Sequence, residues 1–355
     1  MKKVAIIGTQ GVPANYGGFE SLVENIIGIN QSKEIAYTVF CSSKDMKNKL
    51  ESHKGAQLKY IPLHANGMQS IPYDIWSMIK AIRGYDTILI LGTSGCIFLP
   101  ILKWLSRKRI VVNIDGLEHK RDKWGKLAKW ILKTSESIAV KFADVIIADN
   151  KGIQNYVTDT YGKKSEMIAY GGDHVIRDIP ENKQAEILKH YGLTKNEYAI
   201  KVCRIEPENN CHIVLEAFAQ SGKKLMFIGN WNKNDYARNL KAKYEKYENI
   251  SIQNAIYDLD ILFTLRKNAW RYIHGHSAGG TNPSLVEAMF FARPILAFDV
   301  IYNRETTHNE AYYFKNIEDL VNLLKQENLN GEQMYKIASK EYTWKHIAKQ
   351  YEALY

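Results

Sequence analysis

Cysteine is scarce in this chain, and the four present exclude two roles at once. Cys41, Cys96, Cys203 and Cys211 show no Cys-x-x-Cys spacing and have no histidine cluster beside them. They read as buried thiols in a reducing cytoplasm, neither a disulfide framework nor a zinc site. Long hydrophobic runs are missing as well. The apolar stretch after Met1-Lys2-Lys3 stops after Ile7, so it reads as a first β-strand and not as a signal peptide. The most apolar region, 87–105, is split by Gly92-Thr93-Ser94-Gly95 and Pro100 into a strand and a short helix, which argues against a membrane span. Tandem repeats and low-complexity segments are absent from the sequence.

Acidic residues are outnumbered, 38 against 48 Lys and Arg, which leaves a formal charge of +10. Such a surplus points to an anionic partner without naming it. The basic residues concentrate between Lys103 and Lys141 and alternate there with Trp104, Trp124 and Trp130. Lysine and tryptophan together on a helix suit a membrane interface, where ring and cation both find a place. The alternative is a solvated helix face above buried tryptophans. No nucleic-acid-binding signature accompanies the patch, so nucleic acid is not an expected partner.

What is present is a rhythm. With 45% apolar residues over 355 positions the chain is long enough for two domains. Short apolar runs at 4–7, 37–41, 87–91, 110–114 and 145–148 read as buried parallel strands, with helical patterns such as 19–27 and 125–141 between them. The rhythm restarts after Glu197 with runs at 198–203, 225–228, 250–253, 270–274 and 294–298. Two series of βαβ units predict an α/β chain of two doubly wound, Rossmann-like domains. The boundary falls at Tyr170-Gly171-Gly172-Asp173, after a strand at 166–169. The expected domains are therefore 1–170 and 171–340. A closing helix over 341–355 carries Trp344, Ile347, Tyr351 and Leu354 on one apolar face that packs back toward the first domain.

In open α/β sheets ligands sit beyond the carboxyl ends of the strands, and two glycine-rich loops lie there. The first, Gly8-Thr9-Gln10-Gly11-Val12-Pro13-Ala14-Asn15-Tyr16-Gly17-Gly18-Phe19-Glu20, has neither the dinucleotide glycine spacing nor the Lys-Ser/Thr of a triphosphate loop. The second runs from His274 to Met289. Asn282 or Thr281 can cap the helix that follows, and Pro283 sits where a missing N–H costs nothing. Such a helix start offers bare amides to a phosphate, and Glu287, one turn further in, can accept bonds from sugar hydroxyls. The alternative is an ordinary loop-to-helix junction with a surface glutamate. Asp258-Leu259-Asp260 has the form of a metal-binding Asp-x-Asp but reads as a helix start, and His274 and His276 lack ligand spacing, so no metal is expected.

Taken together, these features resemble glycosyltransferase family 4, retaining enzymes of GT-B fold. The resemblance rests on the first glycine loop, Arg204 after the first strand of the second domain, the Glu287-Ala288-Met289 helix and the closing 342–355 segment. Gly8–Glu20, Asp115-Gly116-Leu117-Glu118-His119-Lys120-Arg121-Asp122-Lys123-Trp124, Arg204-Ile205-Glu206-Pro207-Glu208-Asn209-Asn210 and His274–Met289 together are similar to a rhamnosyltransferase branch that builds bacterial surface polysaccharide, O-antigen or capsule. The resemblance implies two Rossmann-like domains facing each other across a cleft, a nucleotide-diphosphate sugar as donor substrate and no cofactor. L-rhamnose from dTDP-L-rhamnose is the implied donor. A lipid-diphosphate-linked or oligosaccharide acceptor is expected at the inner face of the cytoplasmic membrane, with the protein cytoplasmic and peripheral on that anionic surface. Within this family a donor diphosphate oxygen can take the acceptor's proton, so the protein chiefly stabilises charge on the leaving diphosphate.

Catalytic roles fall on Asp115, Arg204 and Glu206 under this resemblance. Donor binding falls on Gly17, Gly18, His274, His276, Gly280, Thr281, Asn282, Ser284 and Glu287, the last on the ribose hydroxyls. Acceptor binding falls on Tyr16, Glu118, Lys120 and Arg121, with His119 and His174 as lesser candidates. Two positions depart from the family. Gly279 stands where the first of two glutamates is usual, and Asn210 where a lysine helps the arginine hold the diphosphate. Lys120 or Arg121 is a candidate replacement for that lysine. Other expectations are a UDP-sugar donor, a sugar-nucleotide epimerase of similar fold, and a non-catalytic nucleotide-sugar or nucleic-acid binding module.

Overall fold

Runs of Val, Ile and Leu too short for helices form the strands of two parallel sheets. The computed structural model describes residues 1–14, 17–30, 34–114, 116–117, 119 and 125–355. It divides into one unit of Met1–Tyr170 with Trp344–Tyr355 and a second of Gly171–Thr343.

The first unit holds β1 (Lys2–Ile7), β2 (Ile35–Ser42), β3 (Ser52–His53), β4 (Ala56–Ile61), β5 (Thr87–Leu91), β6 (Arg109–Asn113), β7 (Val145–Ala148) and β8 (Glu166–Met167). Their order is β3-β4-β2-β1-β5-β6-β7-β8, parallel except for the β3–β4 pair. Positions 4–7 and all of β5 are buried, because a parallel sheet is covered on both faces. Helices α1 (Gly18–Ile29), α2 (Ser70–Ala81), α3 (Leu99–Leu105) and α4 (Lys126–Phe142) supply the cover. The closing helix, Trp344–Glu352, belongs to this unit: Trp344, Ile347, Tyr351 and Tyr355 join the core of Val4, Ile6, Leu22 and Ile26. Asn113 Nδ2 donates to Tyr351 Oη at 2.8 Å, and Arg109 Nε to the Leu354 carbonyl at 2.6 Å. The strand expected over 166–169 is shorter than read, because only Glu166 and Met167 pair with β7. Region 87–105 divides into β5, a 3₁₀ turn at Cys96–Phe98 and α3. No described helix is long and apolar enough to cross a membrane.

The second unit holds β9 (Tyr198–Val202), β10 (Lys224–Ile228), β11 (Ile250–Gln253), β12 (Arg271–His274), β13 (Ile295–Phe298) and β14 (Tyr312–Phe314), all parallel, in the order β11-β10-β9-β12-β13-β14. Phe218, Phe227, Trp231, Phe314 and Leu320 fill one side of this sheet. The two doubly wound sheets expected from the alternation are thus both present. In each, the strand order reverses at one point, between β1 and β5 and between β9 and β12. Those switch points are where doubly wound folds hold ligands.

Candidate functional site

At the switch point of the second unit, two loops are stitched together by side-chain amides. Asn209 Nδ2 donates to the Arg204 carbonyl at 2.9 Å, while Asn209 Oδ1 meets His276 Nδ1 at 2.9 Å. Asn210 Nδ2 donates to the Gly275 carbonyl at 2.8 Å, and Ser277 Oγ to the Glu208 carbonyl at 2.9 Å. Asn210 has a positive φ of 47°, which asparagine tolerates better than most residues. In this chain the position of the family lysine is therefore a structural stitch. From the other side, the buried Asn303 donates to the His276 carbonyl at 2.8 Å. Nothing in the pattern around Asn303 marked it.

Arg204 leaves the end of β9 half-exposed, with Nη1 3.7 Å from Glu206 Oε2. Lys233 Nζ lies 3.3 Å from the other oxygen of Glu206. Burial opposes ionisation of Glu206, but Arg204, a hydrogen bond with Glu208 and Lys233 outweigh it and hold the carboxyl below its usual value. Glu206 thus sits between two cations, and Lys233 is a companion of Arg204 that the sequence pattern did not single out.

His274 ends β12 only 3% exposed, and its Nε2 has no hydrogen-bond partner. Burial first, then His276 and Lys201, push its pKa well below the usual imidazole value, so the ring is neutral. Beyond it, Gly279 and Gly280 turn the chain with φ of 51° and 54°. A residue with a side chain is strained in that conformation, which gives a physical reason why no glutamate stands at Gly279. Asn282, not Thr281, caps the helix Pro283–Met289, accepting from Ser284 N at 3.0 Å and Ser284 Oγ at 2.7 Å.

Glu287 is not a bare surface acid. Its Oε2 accepts from Nη2 of the buried Arg266 at 2.7 Å, and its Oε1 lies 3.6 Å from His174 Nε2. Arg266 was not singled out, since it ends a helix (Leu259–Lys267) as an ordinary basic residue would. Asp258 caps that helix through Asp260 N and Ile261 N, and Asp260 pairs with Arg177 and Lys183.

The glycine loop of the first unit is built differently. A Cβ on Gly8 would lie 2.1 Å from the Leu91 carbonyl oxygen, so only glycine fits between β1 and β5. Glu20 reaches back into the loop to accept from Thr9 Oγ1 at 3.0 Å and Gln10 N at 2.8 Å, and Glu24 accepts from Ala14 N at 3.1 Å. Gly17 is the N-cap of α1 and Gly18 its first residue, with no side-chain cap. Beyond β5, Gly95 N donates to the fully buried Asp74 at 3.2 Å. Asp115, Tyr16, Glu118, Lys120 and Arg121 lie outside the described residues. His119 Nδ1 is 3.0 Å from Glu136 Oε2.

On the basic region, Trp104 is 84% and Trp130 66% exposed, which overturns the alternative of buried tryptophans there; Trp124 lies outside the described residues. Ile101, Leu105 and Leu127 are exposed beside them. Trp76 and Ile79 of α2 add to the apolar surface, with Ile79, Arg83 and Leu105 lining one shallow concavity. Lys133 is committed elsewhere, to Glu136, Tyr156 and Tyr161.

Residues 183–344 match the family model described as glycosyl transferases group 1, and residues 1–173 match a domain of unknown function, DUF1972. No curated protein matches the sequence significantly. Among solved structures, a sucrose-phosphate synthase from Thermosynechococcus elongatus superposes with a TM-score of 0.82 at 15% identity, covering 100% of this chain and 98% of that one. HepE of Anabaena in complex with UDP gives 0.77 at 15% identity, covering 99% of each chain. The catalytic domain of starch synthase IV from Arabidopsis thaliana, bound to ADP and acarbose, gives 0.71 at 13% identity, covering 99% of this chain and 98% of that one. Residues 183–344 are accordingly similar to glycosyl transferases group 1, in a chain whose fold is that of the GT-B glycosyltransferases.

Proposed function

We propose that the protein is a retaining, metal-independent glycosyltransferase that moves L-rhamnose from dTDP-L-rhamnose to a lipid-diphosphate-linked acceptor, working on an anionic membrane surface. The observation that carries the transferase reading is the switch point of the second unit, where Arg204 and Lys233 flank Glu206 beside the His274–Ser284 loop. Departure of a nucleoside diphosphate needs fixed positive charge where negative charge develops, and this cluster provides it without reorganisation. Glu287, held through Oε2 by Arg266, turns Oε1 toward His174, and that oxygen is the one assigned to the ribose hydroxyls. Asp115 has the role of orienting the acceptor hydroxyl.

The lipid acceptor is supported by the exposed Trp104, Trp130, Ile101 and Leu127 among the lysines of α3 and α4. Tryptophan belongs at the bilayer interface, and lysines near it are drawn to anionic headgroups. A UDP-sugar donor is the second reading, favoured by the HepE complexes with UDP and with UDP-glucose.

The deciding experiment screens dTDP-, UDP- and GDP-sugars by thermal shift and then follows turnover with a synthetic lipid-diphosphate acceptor. Ligand binding to the native state raises the midpoint by mass action. Stabilisation by dTDP-L-rhamnose and transfer with retained anomeric configuration is the expected result. Stabilisation by a GDP-sugar alone defeats the rhamnose donor, and isomerisation of the donor without acceptor, seen by NMR, defeats the transferase.

A further inference from the structure

Lys201 is a lysine inside a strand, and its side chain does not reach open solvent. It is 1% exposed, although lysine is among the residues least often found fully buried without a partner. On β9 it shares with Ala199 the sheet face that carries Phe227. Its stem lies along that ring, with Nζ 5.6 Å from the Phe227 centroid. The ammonium ends beneath the ligand loop: a Cβ added to Gly275 would lie 2.8 Å from Lys201 Nζ and 2.3 Å from the Asn209 carbonyl oxygen. Only glycine lets the backbone pass this close.

A buried cation is costly unless a negative charge compensates it. Among the described residues no carboxylate lies within ion-pair distance of Lys201; Glu206 is shared by Arg204 and Lys233. Two neighbouring groups report the excess of positive charge. Lys201 adds to the burial and His276 effects that keep His274 neutral. Burial disfavours the Cys203 thiolate, yet the Cys211 thiol, the charges of Lys201 and Arg204 and a side-chain hydrogen bond with Lys201 together outweigh it and lower the Cys203 pKa to about 7. His274, buried and with Nε2 unpartnered, is a second polar atom at the same place.

We propose that Lys201, with His274 beside it, is an internal anion-binding element that receives a phosphate group of the nucleotide diphosphate under the Gly275 loop. The inference rests on the second unit being the nucleotide-sugar domain. It assigns to β9 the second cation that Asn210 does not supply, and it makes the ligand's own charge the full counter-ion of a buried lysine that otherwise, among the described residues, meets only the Cys203 thiol.

The test is calorimetric titration of the full chain with UDP, dTDP and inorganic pyrophosphate, comparing the wild type with Lys201→Met and Lys201→Gln. The methionine variant keeps the stem and removes the charge; the glutamine variant keeps a polar head should methionine fail to fold. Expected is at least a tenfold loss of affinity for every diphosphate probe, with the ligand-free melting temperature unchanged or raised. Equal affinity in wild type and variants overturns the assignment and leaves the transferase reading standing. A lowered ligand-free melting temperature with unchanged affinity also overturns it, marking the lysine as structural. Binding of no diphosphate to the wild type overturns both. Diphosphate binding that depends on Lys201, without transfer from any donor, upholds the lysine and defeats the transferase.

Discussion

The two switch points share one topology and have opposite electrostatics. In the first unit carboxylates fill the loop after β1: Glu20 takes the Gln10 amide and Glu24 the Ala14 amide. In the second unit Arg204, in the loop after β9, and Lys233, in the loop after β10, flank Glu206, and among the described residues no carboxylate pairs with Lys201. A glycine-rich loop after a parallel strand is thus no phosphate site by itself. Whether its amides and charges are already spoken for decides what it can hold. On this ground the proposed diphosphate site falls in the second unit, and at Gly17 and Gly18 the first loop offers only the uncapped start of α1.

Removing Arg204 breaks the contrast most severely. Arg204→Ala is expected to cost about 10²–10³ in kcat, the scale seen when one preorganised donor to a developing anion is lost. Glu20→Gln is its counterpart in the first unit and leaves the affinity for UDP or dTDP unchanged. Near-normal turnover of Arg204→Ala with donor and lipid-linked acceptor removes the arginine from the mechanism. A clear gain in diphosphate affinity on Glu20→Gln shows that the first loop also competes for phosphate.

Next in size is the Arg266–Glu287 pair. Glu287→Ala strands a guanidinium that is 5% exposed, and such a loss costs roughly 3–5 kcal/mol. The double variant Arg266→Met with Glu287→Met recovers most of that stability, because apolar replacements of a buried pair are well tolerated. It does not recover donor binding if Glu287 holds the ribose. Chemical denaturation and donor titration on the same samples separate the two effects, and a double variant that binds donor normally removes Glu287 from the site.

The basic surface of the first unit comes third. Trp104→Ala with Trp130→Ala is expected to weaken binding to anionic vesicles roughly tenfold or more, from the apolar area no longer inserted. Lys133→Ala leaves vesicle binding unchanged, since that ammonium is committed to Glu136 and two tyrosine hydroxyls. Cosedimentation that is indifferent to the tryptophans defeats the membrane surface.

How much of this was legible in the sequence follows from which physical signals survive in one dimension. Buried parallel strands survive well, and β5, β7 and β11 fall at the positions read from their apolar runs. The strand β4 alternates buried and exposed positions, and β14 is three residues long, so neither gives such a run. Arg204 stood out only through family resemblance, whereas Glu287 was already marked by its place one turn into a helix that follows a glycine-rich loop. Lys201, Arg266 and Asp74 did not stand out at all, because a charged residue in a list of letters looks solvated until its neighbours are known. The available signal for Lys201 was weak: one lysine within the otherwise apolar Tyr198-Ala199-Ile200-Lys201-Val202.

The last contrast distinguishes the two units by pH. Burial lifts the Asp74 carboxyl to about 8, against the pull of the Gly95 amide, while an unfolded aspartate titrates near ~3.9. The native state therefore holds the extra proton between those values, and the Asp74 contribution is complete below the unfolded pKa and lost as pH rises through 8. His274 runs the other way. Its native pKa lies well below the usual value, so the unfolded chain binds the extra proton, and its contribution is complete above ~6.5 and lost as pH falls. Calorimetric melting between about pH 5 and about pH 8.5 tests both. Asp74→Asn flattens the alkaline limb and His274→Gln the acid limb, each leaving the other limb as in the wild type. Identical slopes in all three proteins show that neither buried group controls stability in this range, and the electrostatic contrast then rests on Lys201 and Arg204 alone.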